Sequence, residues 1–179
     1  MTSVRRHKTI PKYLSKQQAL ETLRVAEKFS RELYLMFKVM ITTGIRVSDY
    51  INLTPENFKE DPSLGYVVTY KAKKNQQEIT APVTEDIYKA VLELKTLFPG
   101  KRWTAWNQTK LVGKVMGINL TPHMLRHTFV VLSRQAGISW EIIASITGDD
   151  FTTLKDWYHH VDPAEIKAVR TRFNNYLFT

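Results

Sequence analysis

Thr121-Pro122-His123-Met124-Leu125-Arg126-His127-Thr128-Phe129 is the stretch on which the reading of this chain turns. Threonine followed by proline is a helix start: the hydroxyl caps unpaired amides, and proline at the first helical position forfeits no hydrogen bond. The helix predicted from there ends at Gly137, with Leu125, Phe129 and Leu132 on its buried side. Residues three apart share a helix face, so His123 and Arg126 project together from the first turns. Two cationic donors at a helix N-terminus suit a phosphate, because unpaired amides and the helix dipole add to them. A capping histidine beside an exposed arginine accounts for the same residues, and this segment alone leaves both readings open.

Upstream, Ser15-Lys16-Gln17-Gln18 reads as a capping box, with Leu20, Leu23 and Ala26 as the apolar face behind it. A second helix is predicted over 31–43, carrying Leu33, Phe37, Met40 and Ile41, with Gly44 at its C-cap. A short helix over Val47 to Leu53 follows. Two strand-like runs, Tyr66 to Tyr70 and Glu78 to Ala81, are joined by Lys71-Ala72-Lys73-Lys74-Asn75-Gln76-Gln77 and predict a β-hairpin with a basic tip. Thr84 caps a helix with Ile87, Val91, Leu94 and Leu97 on its inner face, closed by Pro99-Gly100. Downstream, Ser139 and Glu141 open a short helix that stops near Gly148. Asp162-Pro163-Ala164-Glu165 begins a final amphipathic helix with Ile166, Val169, Phe173 and Leu177. The expected fold class is mainly α with a small antiparallel β-hairpin or sheet.

The 179 residues suffice for one domain, expected over 15–179 behind a basic linker at 1–14. Hydrophobic residues make up 43% and charged residues 24%, which excludes disordered and fibrous classes. With no cysteine there is no disulfide framework, thiolate nucleophile or cysteine-held metal. The longest apolar stretch, Leu33 to Ile41, is broken by Lys38, so no membrane span is expected. Val4-Arg5-Arg6-His7-Lys8 leads into polar sequence, unlike a signal peptide, so a cytoplasmic location is expected. A net charge of +9 points to a polyanionic partner, most commonly nucleic acid.

Taken singly, Arg46 in Thr43-Gly44-Ile45-Arg46-Val47-Ser48-Asp49 reads as a surface arginine, the hairpin tip as a solvated charge cluster, and Tyr158 beside Trp157 as packing. Their order changes the reading. Arg, then Lys, then His-x-x-Arg, then Tyr resembles the catalytic domain of tyrosine recombinases, the phage-integrase family. The segment at Thr43 resembles that family's TG-hydrophobic-R-x-S-[DE] box, and His123 to Phe129 its H-x-L-R-H-[TS]-[FA] segment. Tyr158 falls ten residues after Gly148, the family's interval to its nucleophile, and Tyr158-His159-His160-Val161 is similar to its Y-x-H-V ending. The resemblance covers nearly the whole chain.

Carried over by position, the resemblance implies that Arg46 and Arg126 clamp the scissile phosphate, with His123 paired to Arg126 and Tyr158 as nucleophile. Lys74, eight residues before Pro82, matches the catalytic lysine, with Lys73 next if the turn differs in length. Asp49 matches an acidic residue that orients the histidine, while Lys71, Lys73 and His127 are expected to contact DNA. Both arginines are expected to be reachable by solvent. One position departs: where the family has His or Trp after the glycine, this chain has Asp149, then Asp150. A carboxylate repels a phosphodiester, so Asp149 either points away while another donor such as His159 or His160 fills in, is protonated or hydrogen-bonded, or impairs the enzyme. The first reading is favoured.

The resemblance implies DNA cleavage and rejoining through a 3′-phosphotyrosyl link, needing neither metal nor ATP, with no cofactor. It further implies double-stranded DNA containing an attachment site as partner. It implies a homo-tetramer on DNA, docked through the C-terminal segment around Phe173, Tyr176, Leu177 and Phe178, although that segment packing on its own core is an equal expectation. Relatives carry a separate DNA-grasping domain ahead of the catalytic one, which the start at Ser15 leads one to expect is absent here. The rival expectations are a non-catalytic DNA-binding module of the same fold, motivated by Asp149, and a nicking-resealing enzyme like the type IB topoisomerases.

Overall fold

A computed structural model of the chain describes residues 12–158, and side chains through residue 154. Eight α-helices and three strands follow one another, with a 3-10 turn (Pro55–Asn57) before the first strand: α1 (Lys16–Phe29), α2 (Arg31–Thr43), α3 (Val47–Tyr50), β1 (Phe58–Asp61), β2 (Gly65–Lys71), β3 (Glu78–Pro82), α4 (Glu85–Leu92), α5 (Arg102–Val115), α6 (Pro122–Gln135), α7 (Trp140–Thr147) and α8 (Phe151–Tyr158). The expected class, mainly helical with a small antiparallel sheet, is what forms. The predicted C-terminal helix from Asp162 lies outside the described residues.

Local chemistry explains most boundaries. Ser15 and Gln18 exchange the two hydrogen bonds of a capping box at α1. Thr121 and Ser139 accept from Met124 and Ile142 to cap α6 and α7. Gly44 and Gly148 close α2 and α7 in the left-handed conformation, with φ of 68° and 65°. Both are also close approaches: a Cβ on Gly44 would stand 2.5 Å from a Phe129 ring carbon, and one on Gly148 2.2 Å from Ile79 Cδ1.

α2 is the spine, burying Leu33, Leu35, Met36, Phe37, Val39 and Met40 against α1, α4 and α6. The sheet runs β1-β2-β3, all antiparallel. Val68 stands opposite Ala81 and Tyr70 opposite Ile79, placing four core side chains on one face. Beyond this main core, Phe129, Val130, Val131, Ile143, Ala144 and Leu154 form a second apolar cluster joining α6, α7 and α8. Leu14, just before α1, is buried and donates its amide to Thr128 Oγ1 at 2.9 Å.

Three expectations are corrected. Leu20 is exposed, and α1 buries Ala19, Thr22 and Val25 beside the expected Ala26, with Leu23 partly buried against the core, because close packing on α2 and α5 favours short side chains. α4 stops at Leu92, so Leu97 and Phe98 reach the core from the loop that follows. The short helix after Arg46 ends at Tyr50 rather than Leu53. Among the described residues no helix is long and apolar enough to cross a membrane.

Candidate functional site

The site forms where the two apolar clusters meet. α2 ends at Gly44, buried Ile45 follows, and Arg46 becomes the N-cap of α3, so the tight turn delivers its guanidinium to the seam. Arg126 enters from α6 with only 5% of its surface exposed. Its Nη1 donates to the Gly44 carbonyl and its Nη2 to the Thr147 carbonyl at 3.0 Å. This side chain thus ties the ends of α2 and α7 together and supplies both orphan helix-terminal carbonyls with donors. The expectation of a freely reachable Arg126 is overturned: its charge sits in the wall of the site.

Asp149 stands between the two arginines. One carboxylate oxygen accepts from Arg46 Nη2 at 2.5 Å and the other from Arg126 Nη2. The favoured reading, in which Asp149 points away, is therefore corrected. Two guanidinium groups held this close repel, and an uncompensated buried charge costs more than bringing in a carboxylate partner. Asp150 has a different task, accepting from the Thr153 amide at 3.0 Å to cap α8.

Asp49 is buried at 4% exposure and lies on α3, one turn from Arg46. Its Oδ1 accepts the Lys73 amide at 3.0 Å, fixing the root of the β2–β3 turn to the arginine box. Its Oδ2 and Arg46 Nη1 face each other at 4.0 Å, and each is buried without a hydrogen-bond partner. Lys71, Lys73 and Lys74 are all exposed on the hairpin, at its tip and base.

His123 is exposed and His127 half-buried on α6, with ring centroids 6.0 Å apart. Partial burial, then the charges of Arg126, Arg102 and Arg46, hold His123 below the ordinary histidine range. Burial, then His123 and Arg126, push His127 down to about 4. Both shifts favour the neutral imidazole. Tyr158 is the last residue of α8; its side chain, like His159, His160 and the C-terminal segment, lies outside what is described.

Two residues near the site were not anticipated. Tyr70 on β2 is buried and pushed up to about 12, mainly by burial, with the charges of Arg126, Asp49, Arg46 and Asp149 all acting on it. Its alternation with Val68 on the inward face was the available signal. Arg102 opens α5, and its charge reaches His123; with α5 unpredicted, nothing pointed to it.

Known proteins share this framework. Tyrosine recombinase XerA of Pyrococcus furiosus is 27% identical over 184 residues, covering 93% of this chain and 63% of its own length. Tyrosine recombinase XerD of Haemophilus ducreyi is 24% identical over 200 residues, covering 97% and 66%. The chain thus spans less than two thirds of the length of these curated relatives. A crystal structure of XerA recombinase superposes with a TM-score of 0.75 at 23% identity, over 93% of this chain and 66% of that one. The catalytic domain of bacteriophage HP1 integrase does so with a TM-score of 0.70 at 18% identity, over 89% of this chain and 94% of that one. These likenesses agree on the fold. Residues 12–165 match the sequence profile described as the phage integrase family, and the chain belongs to that family.

Proposed function

We propose that this chain is the catalytic domain of a site-specific DNA recombinase or integrase that cleaves and rejoins strands through a 3′-phosphotyrosyl intermediate. The observation that carries the reading is the convergence of Arg46 and Arg126 on one anionic group, with His123 one turn before Arg126 on α6. Planar guanidinium forks match the non-bridging oxygens of a phosphodiester and neutralise the charge that builds in the transition state. A free phenol, with a pKa of about 10, is a weak nucleophile at neutral pH and needs a base. His123 takes that proton as the Tyr158 oxygen attacks phosphorus. The bond from phosphorus to the 5′ oxygen breaks, and Lys74 protonates the departing alkoxide. Attack by a 5′ hydroxyl reverses these steps, so the link conserves the phosphodiester bond and rejoining needs no nucleotide.

The partner is double-stranded DNA containing an attachment site. XerH recombinase, a structural neighbour at 18% identity and TM-score 0.72 over 92% of this chain and 55% of that one, was solved in a pre-cleavage complex with its difH substrate. A cytoplasmic location, in its own cell or a host, is part of the proposal. Tetramer assembly through the C-terminal segment is part of the proposal. A second reading, a DNA-binding module without cleavage, draws on the carboxylate of Asp149 at the clamp. The test is a duplex nicked close to the scissile bond, so that the short product diffuses away and traps the link. The wild-type chain should become covalently attached, and Tyr158→Phe should not. Binding of that duplex with no adduct would favour the second reading.

A further inference from the structure

Asp149 and Asp150 are adjacent, yet only Asp150 serves the local backbone. The Asp149 carboxylate spans the two arginines on which the proposed clamp depends, one oxygen to each. We propose that Asp149 is an internal occupant of the phosphate clamp: it holds Arg46 and Arg126 together in the DNA-free chain, and the scissile phosphate displaces it. This rests on the clamp reading above and adds to it the step by which the substrate enters.

Charge and geometry carry the argument. A carboxylate offers two oxygens, both already engaged, and Arg46 Nη1 is left buried without a hydrogen-bond partner, 4.0 Å from Asp49 Oδ2. A tetrahedral phosphate brings further oxygens to the same place, so the exchange satisfies a donor that Asp149 leaves open. The occupant is also tethered to the machinery it guards. Asp149 follows Gly148, the left-handed cap of α7, and precedes α8, whose last residue is Tyr158. Arg126 grips the Thr147 carbonyl and the Asp149 carboxylate, so it holds two points of the α7–α8 junction. Displacing the carboxylate removes one hold. The junction gains freedom when phosphate arrives, and phosphate binding becomes coupled to the placement of α8.

An internal occupant weakens apparent phosphate affinity by the fraction of time the clamp is free; nine-tenths occupancy gives about tenfold. The test follows thermal melting of the full chain against inorganic phosphate at constant ionic strength, for wild type, Asp149→Asn and Asp149→Ser. Both variants should melt lower in chloride, with the two arginines deprived of the carboxylate they share, and should recover at about tenfold lower phosphate than wild type responds to. Adding Arg46→Ala to either should abolish the recovery. Folded variants whose phosphate midpoints lie within twofold of wild type would overturn the proposal. Hydrogen exchange on the wild-type chain tests it without any variant: phosphate should speed exchange at 149–153, and unchanged or slowed exchange there would overturn it. Failure here is separable from failure of the cleavage reading. Altered phosphate midpoints without a covalent adduct keep the displacement and sink the cleavage; an adduct with unchanged midpoints does the reverse.

Discussion

Arg126 carries two loads that its place in a motif does not separate. Its guanidinium serves the Gly44 and Thr147 carbonyls as well as Asp149, all within the wall of the site. Arg126→Ala should therefore destabilise folding by about 3–5 kcal/mol, since it strands two buried carbonyls and a carboxylate. Arg46→Ala releases only the carboxylate contacts and should cost roughly 1–3 kcal/mol. Both should lose on the order of 100-fold or more in cleavage, so urea midpoints beside adduct yields would tell the roles apart. Equal midpoints for the two variants would refute the structural share given to Arg126. His127 makes a pH prediction. Its pKa falls from 6.5 to about 4 on folding, chiefly through burial. Between those values the unfolded chain binds more protons, so stability rises with pH across the window and is lost as the solution is acidified. Allowing for a half-buried ring, the loss should be roughly 1–2 kcal/mol between about pH 6.5 and 4. His127→Gln should flatten that limb of the melting curve; an unchanged limb would assign it to other groups.

Caps made the elements legible and packing hid the rest. Ser15 with Gln18, Thr121 with Pro122, and the glycines at 44 and 148 each announced a boundary through chemistry local to the chain. α5 gave no such signal: its buried positions are Ala105, Thr109, Val112 and Gly113, while Trp103, Leu111 and Val115 are exposed, so its hydrophobic pattern is inverted. β1 has one buried residue, Phe58, and declares itself only by pairing with β2. The direction of Asp149 is long-range in the same sense, since Arg46 lies 103 residues away. One such contact yields a prediction at this scale. The Asp49 carboxylate holds the Lys73 amide, so α3 sets the reach of the neighbouring Lys74. Lys74→Ala should slow cleavage of an ordinary 5′-oxygen substrate far more than one with a 5′-thiolate, because sulfur departs without a proton. Asp49→Ala should show a weaker form of that bias by loosening the hairpin root. Equal slowing on both substrates would reduce Lys74 to a binding residue.

For the whole molecule, the clamp contributes little to the net charge of +9. Arg46 and Arg126 are matched by Asp49 and Asp149, two cations against two carboxylates at the same seam. A field that draws the proposed DNA partner therefore arises elsewhere, and the exposed Lys71, Lys73 and Lys74, rooted at the site through the Lys73 amide, are one source of it. Each phosphate neutralised by such a side chain releases condensed counterions and steepens the fall of affinity with salt by about one log–log unit. Replacing all three lysines with alanine should flatten that dependence by up to about three units, read from duplex binding across a salt series. Tyr158→Phe should leave the slope untouched, because a phenol neutralises no phosphate, so binding by that variant and the wild type should weaken in parallel. A slope unchanged in the triple variant would take the DNA path off the hairpin. It would move to α5, where Arg102, Lys110 and Lys114 share a helix with no acidic residue in its first turn and Arg102 already reaches His123.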